Sequence, residues 1–236
     1  MTLQKALISQ MKALRDPERA AQQQAYMKSD MPFWGIAMPQ LRQLCKTLFR
    51  QYPIDDSLLW HQTIRTIWDE ANHREEKHAA IELLGVTKYR KAWLQPDSLD
   101  LLKYMIQSGA WWDYVDVLAT HHVGFLLQGW PSEITQQMQS WAKHPDLWIR
   151  RSAILSQLKF KERTDEALLT FAIAHSMADK DFFARKAIGW ALREYAKTDP
   201  GFVVAYVTEH ADSLSALSKR EALKTLLKQG VVNHIP

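Results

Sequence analysis

The sequence predicts an all-α protein, and three features of its composition support that fold class. Good helix formers such as Ala, Leu, Gln, Lys and Glu dominate the 236 residues. Only 8 Gly and 9 Pro are present, and runs of β-branched residues are scarce. Apolar residues make up 47% of the chain, enough for a substantial core. No linker rich in Gly, Ser or Pro divides the sequence, so we expect one domain over residues 1–236.

Proline-containing breaks in the apolar periodicity place the helices in order. The N-terminal part predicts three helices, at residues 3–13, 20–28 and 39–52. Farther along, the segments QPDSLD, WPSEI and HPDLWIRR place Pro beside Asp or Ser. Such side chains cap the free backbone N–H groups of a first helical turn, so each segment predicts a helix start.

After the N-terminal helices, the sequence shows a weak repeat whose unit is a pair of helices. Five positions in the sequence are equivalent in this repeat: Ala80, Asp116, Ala153, Ala187 and Ala222. Consecutive members of this set are separated by 36, 37, 34 and 35 residues. Two antiparallel helices and their turns fit this period. We therefore expect HEAT-like repeats stacked into a curved solenoid, with the second helix of each pair on the concave side.

The repeat register exposes two kinds of departure. Asp116 stands where the other repeats have Ala, and Trp190 stands where they have smaller or polar side chains. Two residues before the aligned positions the side chains are mostly basic: His78, Tyr114, Arg151, Arg185 and Arg220. Basic groups at helix starts favour phosphate. For Arg185 and Arg220 a structural ladder of Arg and Asp between repeats remains an equal alternative.

Charge and cysteine content limit the functional classes. The formal net charge is +4, and residues 1–50 and 151–236 are basic whereas residues 51–100 are acidic, a distribution that suits a polyanion or ordinary solvated helices. The single cysteine, Cys45, lies in an apolar run and excludes an internal disulfide. No stretch reaches the ~18–20 apolar residues of a membrane span, and the N-terminus lacks the apolar core of a signal peptide.

Metal and cofactor signatures are missing from the sequence. His121 and His122 are adjacent, and His73 and His78 are five residues apart, which is not the spacing of helical zinc ligands. Phosphate-binding glycine loops and the G-x-S-x-G motif are also absent. We therefore expect neither a metal nor an organic cofactor.

One constellation carries residue types suited to catalysis. Trp112 and Asp116 are four residues apart and share a helix face. The segments that contain Arg151 and Trp190 follow in consecutive repeats, so the three helices should be neighbours. All four side chains could then meet on one concave wall. The alternative for Asp116 is a buried carboxylate paired with an arginine for structural reasons.

These segments resemble a known family. WWDYVD, WIRRSAIL and FFARKAIGWALREY, preceded by YMK and PFWGI near the N-terminus, are similar in sequence and spacing to AlkD-like DNA alkylation-repair glycosylases. The resemblance implies that Asp116 is the catalytic carboxylate and that Trp112 and Trp190 hold the sugar and backbone of the damaged nucleotide. It further implies DNA contacts by a set of residues that includes Arg151 near the phosphate and Tyr26 near the site. The others in that set are Arg193 and Lys197, and the basic row of the repeat register adds Arg185 as a candidate DNA contact.

The implied reaction is hydrolysis of the N-glycosidic bond of alkylated, cationic purines in duplex DNA, such as 3-methyladenine, 7-methylguanine and bulkier N3 or N7 adducts. A carboxylate stabilises positive charge that develops on the sugar, and indole faces attract cations. The resemblance implies action without base flipping. No Lys lies within a turn of Asp116, which predicts a monofunctional enzyme.

Two further expectations concern context. We expect a monomer that binds damaged duplex DNA, with no membrane partner, in a bacterial-type cytoplasm and associated with the nucleoid through DNA. The rival hypothesis is a non-catalytic HEAT-repeat module that binds damaged or branched DNA. The presence of Asp116 beside a phosphate-binding wall favours the enzyme, since a carboxylate repels a polyanion.

Overall fold

The helices predicted from the sequence are present in a computed structural model that describes residues 1–236. The chain contains helices and turns but no β-strand, which confirms the all-α prediction. It folds as two compact units, Met1–Leu94 and Gln95–Pro236. A single functional domain over the whole chain stays a prediction.

The first unit contains six helices. They are α1 (Leu3–Ala13), α2 (Pro17–Met27), α3 (Met38–Gln51), α4 (Ser57–Asp69), α5 (Arg74–Leu84) and α6 (Thr87–Trp93). The predicted helix at 3–13 has the observed bounds, and the helix at 39–52 is displaced by one residue. The helix predicted at 20–28 begins earlier because Asp16 caps it and Pro17 takes its first position, where no backbone donor is needed.

Buried carboxylates fix the segment between α2 and α3. Glu75 is 2% exposed and accepts hydrogen bonds from the backbone N–H groups of residues 34, 35 and 36, at 2.9, 2.9 and 3.0 Å. Its neighbour Glu76 accepts a bond from the indole N–H of Trp34 at 2.9 Å. An irregular segment needs such partners because its amides have no helical acceptors. Two acidic side chains at the start of α5 therefore provide the hydrogen-bond acceptors that a helix or a sheet would otherwise supply.

The second unit carries the remaining helices. They are α7 (Leu99–Gly109), α8 (Trp112–Val117), α9 (Gly124–Gly129), α10 (Pro131–Ala142), α11 (Leu147–Leu155), α12 (Glu166–Ala174), α13 (Phe182–Tyr195), α14 (Pro200–Glu209) and α15 (Ala216–Lys228). Short 3₁₀ turns lie at Pro96–Ser98 and Lys161–Arg163, and a π-helical turn, Leu118–Val123, joins α8 to α9.

Helix packing in this unit follows the predicted register. The helices that hold the aligned positions 116, 153, 187 and 222 are α8, α11, α13 and α15, and each packs on the next. The first helices of two pairs, α10 and α12, pack on each other. Ala153, Ala187 and Ala222 are buried, because small side chains let neighbouring helices approach.

Side-chain caps start most helices of the second unit. The cap residues of α11 to α15 each accept a hydrogen bond from a first-turn amide, and they are Asp146, Asp165, Asp181, Asp199 and Ser215. The prediction from HPDLWIRR is thus confirmed. WPSEI differs, since Trp130 precedes α10 without a side-chain cap and Pro131 occupies the first turn.

Cys45 is buried, and burial raises the pKa of its thiol, as expected for a small core residue. None of the helices combines the length and the apolar character that crossing a bilayer requires.

We predict that Glu75→Gln destabilises the protein by about 1–3 kcal/mol, because an amide NH₂ would face backbone donors and leave at least one of them unsatisfied. Chemical denaturation monitored by circular dichroism measures the free energy of unfolding. Glu18→Gln is the control, since Glu18 is an exposed residue of α2 in the same unit. Equal stability of the two variants would contradict the role assigned to Glu75.

Candidate functional site

The site begins at the junction of α7 and α8. Ala110 ends α7 in the left-handed conformation, and Trp111 precedes α8 without a side-chain cap. Asp113 lies inside the first turn of α8 and is not its N-cap residue. Trp112 and Asp116 follow at positions one and five of α8, so they share one face, as the sequence predicts.

A bidentate ion pair joins α8 to α11. The Nε and Nη2 atoms of Arg151 donate to Oδ1 and Oδ2 of Asp116, at 2.7 and 2.9 Å. Arg151 is 4% exposed, whereas the Asp116 side chain keeps 14% of its surface exposed. Two parallel charge-assisted bonds fix both the position and the plane of the carboxylate. The residue that differs from the repeat pattern is therefore paired with the basic residue of the next repeat.

Arg151 also reaches α13. Its Nη1 atom donates to the backbone carbonyl of Phe183 at 2.5 Å, and its guanidinium carbon lies 6.0 Å from the centre of the Phe183 ring. Three of its five N–H groups are thus engaged, and two remain. Sequence reasoning assigned no separate role to Phe183. Its acceptor is a backbone atom, so no side-chain pattern indicated this contact.

An aromatic cluster lies behind the ion pair. The Phe183 ring is 5.4 Å from Trp111 and 5.0 Å from Trp148, measured between ring centres. Trp111 and Trp148 are 6.0 Å apart. Aromatic pairs at these separations stabilise a packed core. Trp148 is buried, whereas Trp111 is only partly buried.

Burial governs the protonation of the carboxyl. Desolvation raises the pKa of Asp116 above its usual value, the hydrogen bonds and charge of Arg151 oppose that rise, and Asp113 adds to it. The carboxylate is therefore held between a low-dielectric environment and a fixed cation. It is positioned to respond to any new positive charge that approaches its exposed edge.

The two tryptophans predicted to hold the nucleotide lie on helices that pack on either side of α11. Trp112 is on α8 and Trp190 is on α13, and both are partly exposed. Trp190 follows Phe183 by seven residues, which places them within ~20° on the same face of α13. The structure therefore brings Asp116 and Arg151 into contact and leaves an accessible indole on each flanking helix.

The other basic residues divide between ion pairs and exposed positions. Arg193 pairs with Glu221 of α15 at 2.5 Å, and Lys186 binds the same carboxylate at 3.0 Å. Lys197 pairs with Glu194 at 2.7 Å in an exposed turn. These pairs hold several cations near α13 without removing them from solvent, since each of the three basic side chains is at least 25% exposed.

The ladder alternative has mixed support. Arg150 of α11 forms an ion pair with Asp179 at 2.6 Å. This arginine–aspartate pair links α11 to the segment between α12 and α13. Arg185 donates to the backbone carbonyl of Asp179, and its charge helps to lower the pKa of that carboxyl against the opposing effect of desolvation. Arg220 is exposed, and Tyr114 of the same register is buried. Only part of the predicted basic row therefore faces solvent.

Tyr26 lies in the first unit, in the last turn of α2, and is 76% exposed. A large aromatic side chain with that exposure is available to a ligand.

No group of three or more His, Cys, Asp or Glu side chains is arranged to hold a metal ion.

Comparison with known proteins identifies relatives. The model of the DNA alkylation repair enzyme family matches residues 7–226. A solved structure described as a predicted DNA alkylation repair enzyme from Enterococcus faecalis is 31% identical, and the match covers 91% of this chain and 97% of that chain with a TM-score of 0.81. No curated protein matches this chain. The likeness extends over nearly the whole of both chains.

We predict that Arg151→Met lowers the free energy of unfolding at neutral pH by about 3–5 kcal/mol, because Asp116 would be left as a buried, unpaired charge. Without the arginine, the pKa of Asp116 in the folded state rises further above its unfolded value. Stability should therefore be lost as pH rises through that folded pKa and regained on acidification. Urea denaturation at several pH values measures this dependence.

Lys197→Met is the control for this prediction, since its ion pair with Glu194 is exposed. It should change the stability by less than about 1 kcal/mol at every pH. If Arg151→Met were as harmless as Lys197→Met, the pair would not be a buried charge interaction.

Proposed function

The chain belongs to the DNA alkylation repair enzyme family, and on that basis we propose that it is a DNA glycosylase of base excision repair. In this proposal it hydrolyses the N-glycosidic bond of alkylated, cationic purines in duplex DNA and leaves an abasic site. The observation that carries the proposal is the Asp116 carboxylate, held in two parallel bonds by Arg151 and still open to solvent at one edge.

Alkylation supplies much of the driving force in this chemistry. A purine alkylated at N3 or N7 carries a positive charge and leaves readily as a neutral base. As the glycosidic bond breaks, positive charge develops on the sugar in an oxocarbenium-like transition state. A fixed carboxylate stabilises that charge without reorganising, and it can accept a proton from the attacking water.

The aromatic side chains support the same step. The indole faces of Trp112 and Trp190, which are partly exposed, would contact the deoxyribose and backbone of the damaged nucleotide. An indole face attracts a cation by about 0.5–2 kcal/mol. Acting on the sugar from an open surface requires no pocket for the base, so the proposal includes bulky adducts and excludes a need for base flipping.

Arg151 has two roles in the proposal. It positions Asp116, and its two remaining N–H groups are the donors for a phosphate beside the damaged nucleotide. Lys197, Arg193, Arg185 and Tyr26 are proposed as further DNA contacts. The first three lie in or beside α13, the helix that carries Trp190.

One observation favours a second function. Because Asp116 is buried and bidentately paired, it could serve solely to join α8 to α11. The protein would then bind damaged or branched DNA without breaking a bond. Base release by the wild-type protein distinguishes these functions, because a purely structural Asp116 predicts DNA binding without release of a base.

We predict that Asp116→Asn slows the release of methylated purines by at least ~100-fold, because the fixed charge that stabilises the transition state is lost. DNA affinity should be similar or higher, since a negative charge is removed. Single-turnover release of free base from methylated duplex DNA measures the rate, with uracil-containing duplex as the negative control substrate. Normal release by this variant would show that Asp116 is not the catalytic group.

We predict that Lys197→Gln weakens binding to duplex DNA and lowers the slope of log K against log salt by about 1, because one phosphate contact no longer releases a counterion. Fluorescence anisotropy at several salt concentrations measures the slope. Lys12→Gln makes the same charge change on α1, where no DNA contact is predicted, and should leave the slope unaltered. Identical slopes for both variants would remove Lys197 from the proposed surface.

A further inference from the structure

The helix that carries Asp116 contains a π-helical turn directly after it. Residues Leu118–Val123 form this turn between α8 and α9, and the helix continues through it without a break. The backbone N–H of Gly124 donates to the carbonyl of Ala119, five residues earlier, instead of four as in an α-helix. The turn therefore contains one residue more than a regular turn, a feature that is often found at functional sites.

Gly124 touches the same helix, α11, that holds Arg151. A Cβ atom added to Gly124 would lie 2.6 Å from the carbonyl oxygen of Ser156, the residue that caps the end of α11. The backbone of Gly124 is in the ordinary right-handed helical conformation. Space alone therefore requires glycine here, since any side chain would push the two backbones apart.

The π turn allows Asp116 and Gly124 to face α11 together. They are eight residues apart, and at ~100° per residue a regular α-helix would point them ~80° away from each other. When the turn absorbs one residue, the separation acts like seven residues, and the two directions differ by only ~20°. Both ends of this stretch then contact α11, through Arg151 and through Ser156.

A side chain within the turn reinforces this arrangement. The hydroxyl of Thr120 donates to the backbone carbonyl of Asp116 at 2.7 Å, and Thr120 is buried. This hydrogen bond connects the start of the π turn to the backbone of Asp116. A disturbance at Gly124 would therefore be transmitted to Asp116 through a short, hydrogen-bonded stretch of helix.

We propose that the π turn, closed by Gly124 against Ser156, aims the Asp116 carboxylate at Arg151, and that Gly124 is a positioning residue for the reaction. The effect on the reaction rests on the proposed glycosylase function. The effect on the direction of the Asp116 side chain does not, so the two can be tested separately.

The first test compares two glycine substitutions at either end of α9. Gly124→Ala should slow single-turnover release of methylated purine by ~10- to 100-fold, because a displacement of about 1 Å misaligns the carboxylate. DNA affinity should stay close to that of the wild type. The control is Gly129→Ala, where an added Cβ meets no atom within 4 Å, and its rate should be unchanged. A folded Gly124→Ala variant with the wild-type rate would overturn the proposal.

The second test removes one residue from the turn and also decides the case if Gly124→Ala fails to fold. Deleting the exposed His121 shortens the separation of Asp116 and Gly124 from eight positions to seven, so a regular α-helix would keep both directed at α11. We expect this variant to fold and to release base at close to the wild-type rate. A folded deletion variant that has lost base release would refute the geometrical explanation.

A direct readout separates this proposal from the glycosylase function. The carboxyl carbon of Asp116, assigned by comparison with Asp116→Asn, can be titrated by NMR in each variant. In Gly124→Ala its pKa should rise relative to wild type, because weaker contact with Arg151 removes an opposing charge, whereas Gly129→Ala should match wild type. If the wild type releases no base, the glycosylase proposal fails, but a raised pKa in Gly124→Ala alone still supports the positioning role. Equal pKa values would overturn that role.

Discussion

The pairing of Asp116 with Arg151 is the interaction on which the second unit depends. Each partner is a charge that could not remain where it is without the other, because removing either would leave an uncompensated ion in a poorly solvated place. The pair joins α8 to α11, and the third bond of the arginine continues to the backbone of α13. Three helices of the predicted repeat register, α8, α11 and α13, are thus connected through one guanidinium. The functional candidate and the structural connection are the same group of atoms, so selection for one maintains the other.

This arrangement imposes a compromise on the carboxylate. A bidentate partner fixes its orientation, which suits the stabilisation of a short-lived cation, but it also offsets part of the negative charge that would do so. Burial acts in the opposite direction, since low polarity strengthens every remaining electrostatic interaction. The aromatic cluster of Trp111, Trp148 and Phe183 adds apolar surface beside Arg151, because the Arg151 guanidinium lies over the Phe183 ring. We expect a substrate to approach the 14% of the Asp116 side chain that remains exposed.

Much of this structure could be predicted from the sequence, and the exceptions have physical reasons. The helix class, the N-terminal helix at 3–13 and the cap before α11 follow from local patterns of propensity and capping. The neighbourhood of α8, α11 and α13 follows from the repeat spacing. The contact with Phe183 was missed because its acceptor is a backbone carbonyl. The π turn was missed too, although the step from Asp116 to Ala153, at 37 residues the longest of the four, contains its additional residue.

The contact between α13 and α15 has a consequence for how the protein emerges from the ribosome. Lys186 and Arg193 share the carboxylate of Glu221, and Gly189 lies between them where a Cβ would be 2.5 Å from Glu221 Cβ. The helix that carries Trp190 therefore completes its packing only after α15 has been synthesised. Synthesis at roughly 5–20 residues per second gives α8 and α11 time to pair first. The proposed site would therefore form in order during synthesis. The ion pair of Asp116 and Arg151 would form first, and Trp190 would reach its final position later, when α15 packs on α13.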